Sequence, residues 1–287
     1  MSTIAAQHMF RPHIKNIDIN ADTVAVYEWP MPTAKAKAHI VMVHGLGEHM
    51  GRYNQVAFAL NQAGYAVSGY DHHGHGLSSG VRGDMHHAQQ LTDDLKQVLV
   101  SIKASHPELP TVLLGHSMGG LVVERAVAAQ NDLADAMIMS SPALAAFTNP
   151  LQKLLLATLP RWLPHLRVDN GLKLNWLARD AQVIRDYKED PLVHAYISAG
   201  LAAWIIQQGE LAVQDAANWQ TPALLLYAGQ DKLVNPQGSA DFAKNASNQY
   251  VQSHCFNVMY HEIFNDPEKH LVLQKVTQWL DNRYAAA

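Results

Sequence analysis

The stretch Thr111-Val112-Leu113-Leu114-Gly115-His116-Ser117-Met118-Gly119-Gly120 decides how this chain is read. Thr111–Leu114 is a short apolar run of strand character, and Met118 to Gln130 is apolar and long enough for a helix. Between them stands G-x-S-x-G, so Ser117 belongs on a sharp strand-to-helix turn. Small residues at 115 and 119 are what such a turn requires, because larger side chains would collide with the backbone folding past them. The helix starting after Ser117 directs its positive end toward any negative charge that forms beside the serine. A glycine-rich turn with an incidental serine is the plainer reading; the strand before it and the helix after it weigh against that.

Upstream, the apolar run Ile40–Val43 enters the loop Val43-His44-Gly45-Leu46-Gly47-Glu48 ahead of a helical stretch near Tyr53–Gln62. In a turn of this kind the residue after the serine and one residue of this loop supply backbone N–H groups to an oxyanion. Met118 and Leu46 are therefore the candidate oxyanion-hole donors. Downstream, the run Ala223–Tyr227 ends in Ala228-Gly229-Gln230-Asp231-Lys232-Leu233-Val234, which puts Asp231 at the carboxyl end of a strand, where function concentrates in parallel sheets. Asp215 precedes that strand and Asp241 falls inside a helix, so both read as solvent-facing. The chain holds 17 histidines, so position must select the base. His254 lies within a strand run and His270 in the last helix. His261 follows the last strand, in the loop before that helix. Ser117, Asp231 and His261 are the candidate nucleophile, acid and base, in that chain order.

The rest of the chain fits one α/β domain. Two β-type runs, Ile14–Ile19 and Thr23–Trp29, flank Asn20-Ala21-Asp22 and read as a hairpin. Short apolar runs at 40–43, 65–70, 111–114, 136–139, 223–227 and 250–258 then alternate with helical stretches at 53–62, 88–104, 118–130, 236–245 and 267–282. That alternation predicts a mostly parallel central sheet with helices on both faces. Between Ser141 and Thr221 there are helical patterns and no convincing strand. Residues 143–215 are read as an inserted helical cap or lid, leaving 1–142 and 216–287 as the core. A connection that long is usually functional.

Composition narrows the function classes. The chain has 287 residues, 48% hydrophobic and 16% charged, with a formal charge of -4. No basic stripe suggests nucleic acid. The single cysteine, Cys255, allows no internal disulfide. No leader pattern opens the chain and no apolar run reaches the roughly 18 residues of a membrane span, so a cytoplasmic protein is expected. No cofactor is expected either. Asp71, His72, His73, His75, His86 and His87 form a dense group of residues suited to zinc. Gly74 and Gly76 among them suit a tight turn, and that reading is preferred over a metal-dependent hydrolase.

Together these segments resemble the monoacylglycerol lipase and lysophospholipase branch of the α/β-hydrolases. The matching pieces are His44-Gly45-Leu46-Gly47-Glu48-His49 with Gly51-Arg52-Tyr53, Asp71 to Ser78, Gly115 to Gly120, Ser140-Ser141-Pro142, Asp190-Pro191-Leu192-Val193, Asp231 to Val234, and Tyr260-His261-Glu262-Ile263-Phe264-Asn265. They run from about residue 15 to residue 282. The resemblance implies the α/β-hydrolase fold and hydrolysis of single-chain lipid esters through an acyl-enzyme, with monoacylglycerols of medium to long chain as substrates. Lysophospholipids and small carboxylic esters are the alternatives, and a non-catalytic ligand binder on the same fold is a distant one. The resemblance also implies that Glu48 and Arg52 shape the substrate's polar end, although an ion pair tying the loop to its helix is the preferred account of them, and both roles can hold. Val234 and Phe264 depart from the mammalian lipase, which carries cysteine and histidine there. Finally, Asn149–Arg167 repeats Leu151, Leu155, Leu159, Trp162 and Leu166 at helical spacing beside Lys153, Arg161 and Arg167. Such a segment can lie at a membrane surface or roof an acyl tunnel; Pro160 and Pro164 interrupt it.

Overall fold

The computed structural model describes residues 10–31, 35–149, 152, 154, 156 and 158–284. Its centre is an eight-stranded sheet. Strands β1 (His13–Ile19) and β2 (Asp22–Trp29) form the amino-terminal hairpin, followed by β3 (His39–Val43), β4 (Ala66–Tyr70), β5 (Thr111–His116), β6 (Ala136–Ser140), β9 (Ala223–Ala228) and β10 (Val251–Phe256). The order is β1-β2-β4-β3-β5-β6-β9-β10. β1 and β2 pair antiparallel with their neighbours, and the pairs from β4 to β10 are parallel. In the hairpin Ile19 pairs with Asp22. The turn is therefore Asn20-Ala21 alone, with Asn20 at φ 54°, and Asp22 is the first strand residue.

The inner parallel strands β3, β5, β6 and β9 are buried on both faces, which explains their apolar runs, whereas the edge strand β10 exposes Gln252 and Ser253. Successive side chains point to opposite faces. Val41, Val43, Leu113, Met137 and Leu225 join one core with helices α2 (Gln90–Ser105), α3 (Met118–Ala129) and α6 (Pro236–Asn245). Ile40, Met42, Val112, Leu114, Ile138 and Leu226 join the other, with α1 (Asn54–Gln62) and α7 (Lys269–Tyr284).

Between β6 and β9 the chain is less uniformly helical than expected. It contains helices α4 (Ala181–Glu189) and α5 (Ala199–Asp215), and also two three-residue strands, β7 (Arg167–Asp169) and β8 (Tyr196–Ser198), paired antiparallel. Three residues are too few to show a period of two, and each strand exists because the other lies beside it. Of the leucine repeat, Leu151, Lys153 and Leu155 lie outside the described residues. No helix among the described residues is long and apolar enough to cross a membrane.

Candidate active site

Ser117 stands between β5 and α3 with φ 55° and ψ -120°. This backbone region is costly for a residue with a Cβ, by about 1–3 kcal/mol, and it persists only where the surroundings enforce it. They do so here. A Cβ on Gly119 would lie 2.2 Å from the Val43 carbonyl oxygen, and one on Gly115 would lie 2.3 Å from that of Gly119. The turn is held from outside by Ser117 N–H to the Ser140 carbonyl (2.9 Å) and Ala143 N–H to the Ser117 carbonyl (3.0 Å).

His261 and Asp231 come together from the loops after β10 and β9. Asp231 Oδ1 accepts from the N–H groups of Leu233 and Val234, both at 2.9 Å, and Oδ2 lies 2.6 Å from His261 Nδ1. A carboxylate only accepts, so Nδ1 carries the proton and Nε2 is left as the basic atom. Burial alone would depress the imidazole's pKa. The Asp231 carboxylate, with Glu262 and Glu48 behind it, outweighs burial and holds it above the ordinary histidine value. His116, buried and ring-to-ring with His261 at 4.9 Å, is pushed down to about 4 by burial and by His261, and so is neutral. The rivals for the acid are occupied elsewhere. Asp215 binds Arg125 on the surface, and Asp241 accepts from Gln237 within α6.

The loop carrying Leu46 is pinned by a buried charge network. Glu48 Oε1 accepts from Gly45 N–H and Tyr53 O–H, both at 2.7 Å. Arg52 donates to Glu48 Oε2 and to both oxygens of Glu262, at 2.6 and 2.8 Å, and its guanidinium stands 4.7 Å over the Tyr187 ring. Behind the loop, His44 Nδ1–H donates to the Gly45 carbonyl while its Nε2 accepts from His72 N–H, which fixes the tautomer. Asp71 accepts from Tyr27 O–H, Met50 N–H and Leu77 N–H. Asp71 and His72 are thus interior scaffolding.

Gly45, Leu46, Glu48, Ser117, Met118, His261 and Glu262 all face one cavity of about 420 Å³. The segment between β6 and β9 supplies much of the opposite wall through Leu156, Leu172, Leu177, Ile205 and Ile206, with Asn170 and Tyr187 as polar members. Val234 lines this cavity too. Arg52 does not line it; its guanidinium faces the carboxylates behind the wall. Phe264 is buried in the core rather than at the cavity. Sequence reasoning passed over Glu262, His116, Tyr187 and Asn170. The first two sit inside motifs already singled out, beside His261 and Ser117. Tyr187 and Asn170 carry no local signal. The same wall is tied to the core by His49 Nε2 to Asp190 Oδ2 (2.8 Å) and by His194 N–H to the Gly47 carbonyl (3.0 Å).

A mostly parallel sheet in this order, with a strained serine turn after its fifth strand, is the α/β-hydrolase architecture. The chain is a hydrolase and belongs to the family Hydrolase_4 (Serine aminopeptidase, S33), whose profile matches residues 34–268. Within the superfamily it falls in the branch of the monoacylglycerol lipases. It is 35% identical over 259 residues to a monoacylglycerol lipase of Mycolicibacterium smegmatis, spanning 89% of this chain and 92% of the relative. It is 31% identical over 257 residues to phospholipase YtpA of Bacillus subtilis, covering 88% and 98%. Among solved structures it is similar to the monoacylglycerol lipase of Paleococcus ferrophilus, with a TM-score of 0.80 and 32% identity over 94% of this chain and 99% of the other.

Proposed function

We propose that the protein hydrolyses monoacylglycerols of medium to long chain to fatty acid and glycerol, with Ser117 as nucleophile, His261 as base and Asp231 as the carboxylate that orients it. The observation that carries this reading is the cavity. Ser117 and His261 sit where an apolar wall meets the carboxylates of Glu48 and Glu262. Each methylene buried along that wall contributes about 0.8 kcal/mol, which favours long acyl chains over acetate until the space is full.

Ser117 Oγ attacks the ester carbonyl while His261 Nε2 takes its proton. The N–H groups of Leu46 and Met118 receive the oxyanion, each contributing about 3–4 kcal/mol to the transition state. His261 returns the proton to the glycerol oxygen as the C–O bond breaks. Water, deprotonated by the same imidazole, then releases the fatty acid. Residues 143–215 serve as the cap over the acyl chain. Glu48 and Arg52 act at the polar end mainly by holding the loop, with Glu48 the member that can reach a hydroxyl.

Lysophospholipid hydrolysis is the second reading, favoured by the likeness to the Bacillus phospholipase. Two carboxylates against one guanidinium at the polar end leave that end net negative, which opposes a phosphodiester. Trp162, 84% exposed, and the exposed Leu163 and Leu166 beside Arg161 and Arg167 support peripheral contact with a membrane surface. Co-sedimentation with anionic vesicles, lost in Trp162→Asp, tests that contact. The decisive experiment measures kcat/KM for one acyl chain on glycerol, lysophosphatidylcholine, diacylglycerol and p-nitrophenol. The glycerol monoester should lead the natural lipids; equal or faster turnover of the phospholipid or the diacylglycerol rejects the assignment.

A further inference from the structure

The histidines between β4 and α2 do not all serve the loop's interior. His72 and His75 are fully buried, and His75 Nδ1 meets the His73 carbonyl at 3.0 Å. His73 and His86 instead meet Asp22, at the start of β2. His73 Nδ1 is 3.0 Å and His86 Nε2 3.2 Å from the same oxygen, Asp22 Oδ2, and the two rings are 4.5 Å apart.

We propose that Asp22, His73 and His86 bind one divalent first-row transition ion, zinc foremost, outside the active site. The three ligand atoms lie within 4.8 Å of one another. A tetrahedral ion with legs of about 2.0–2.1 Å needs its ligands about 3.3 Å apart, close to the two separations between Asp22 Oδ2 and the imidazole nitrogens. Two imidazole nitrogens and one carboxylate oxygen suit zinc, nickel, cobalt or copper rather than calcium or magnesium.

Two further observations point to a ligand. His73 is 2% exposed, and its Nδ1 is buried without a hydrogen-bond partner: the contact with Asp22 is close but not aligned as a hydrogen bond. An orphaned buried nitrogen is costly unless something fills its lone pair or takes its proton. The ring is also locked in place. A Cβ at Gly80 would fall 2.3 Å from His73 Nε2, and Gly80 stands at φ +102°. The other oxygen of Asp22 accepts from Ser79 Oγ at 3.1 Å, a second contact that orients the carboxylate and leaves Oδ2 toward the imidazoles.

Access is open on one side. The His86 side chain is 61% exposed and lines a groove with Asp22, Gln90, Asp93 and Asp94. Water would fill the fourth position of a bound ion on that open side. The ion would clamp the amino-terminal hairpin to the loop that carries Asp71. It takes no part in ester hydrolysis.

The test uses the full chain without an affinity tag, stripped with EDTA and titrated with zinc chloride by calorimetry, beside His86→Ala and Asp22→Asn. One zinc should bind per chain, and free zinc at a hundredfold excess over Kd should raise Tm by about 5 °C. Loss of an outer-shell partner alone weakens metal binding by about 10–100-fold, so loss of a direct ligand should cost at least tenfold. Both variants should also lose the Tm rise while keeping wild-type ester hydrolysis. Cobalt should give the intense visible bands of a four-coordinate ion in the wild type and not in His86→Ala, whose exposed position keeps the fold safe. The proposal is overturned if the wild type shows no saturable one-to-one binding, or if either variant binds zinc as tightly as the wild type.

Discussion

Arg52→Met separates two roles for the guanidinium behind the cavity. Methionine keeps the apolar stem packed and removes the charge. In the wild type one nitrogen, Nη1, serves Glu48 and Glu262 together, and the side chains of all three are at most 11% exposed. Burial alone would raise the Glu48 carboxyl; Arg52 beside it, helped by the Gly45 N–H and the Tyr53 hydroxyl, brings it below its ordinary value instead. Without Arg52, two buried carboxylates face each other uncompensated. Removing one partner of a buried ion pair costs about 3–5 kcal/mol. At about 2 °C per kcal/mol for a chain of this size, Tm should fall by about 6–10 °C at pH 7.5. The sign with pH follows from Glu48. Its depressed pKa in the wild type contributes stability present above the unfolded carboxylate range and lost as pH falls through the folded value. In the variant that pKa rises, so the deficit should shrink toward pH 4.5. Calorimetry at both pH values measures it. Turnover should also fall, by up to about 10²-fold, because Glu48 no longer fixes the Gly45–Leu46 turn and one oxyanion donor is misaimed. A Tm within about 2 °C of wild type, with only KM for the glycerol ester raised, would refute the reasoning and make Arg52 a substrate ligand.

Ser117→Ala should fold normally and lose about 10⁶-fold in kcat, and Asp231→Asn should lose about 10⁴-fold; residual activity within tenfold of wild type in Ser117→Ala would remove the serine from its proposed role. Because His261 must be neutral to take a proton and its pKa is raised, kcat/KM should decline as pH falls through a value above about 6.5. A profile flat from pH 5 to 8 contradicts this. Glu124, fully buried with neither carboxyl oxygen hydrogen-bonded and Arg125 Nη1 at 3.7 Å from Oε2, is pushed up to about 8 by burial, which outweighs Arg125. A raised carboxyl stabilises below its unfolded range and loses that contribution as pH climbs to 8, which is worth roughly 3–5 kcal/mol. The wild-type Tm should therefore drop between pH 5 and 8 by several degrees more than that of Glu124→Gln, and parallel curves would show that Glu124 is not the titrating group.

Much of the molecule was legible in local pattern. The inner parallel strands announce themselves because both faces are buried, so Ile40–Val43 and Ala223–Tyr227 read as continuous apolar runs. Helix α6 keeps its expected bounds, Pro236–Asn245, because proline at its start and Asn235 as the cap mark it; the Asn235 side chain accepts from Gln237 N–H. The turn at Ser117 was legible because the clash that demands glycine at 115 lies within the turn itself, against Gly119, whereas the demand at 119 comes from Val43 on the neighbouring strand. The order Ser117, Asp231, His261 followed from which residues end strands.

The contacts hidden from the sequence join residues far apart along it. β7 and β8 are too short to carry a period. Glu262 looked like a neighbour of His261 until the fold set it against Arg52, and Asp190 gives no sign that it holds His49. The dense run of histidines after β4 divides into interior scaffolding and a cluster with Asp22 only once β2 is laid antiparallel beside β4. By itself the sequence determined the architecture, the serine turn and the candidate acid and base, because each is set by hydrophobic periodicity or by backbone sterics within a few residues. Tertiary structure alone decided which charges neutralise one another, which atoms face the cavity, and which imidazoles are buried without a partner, because burial and pairing depend on distances that chain separation does not encode.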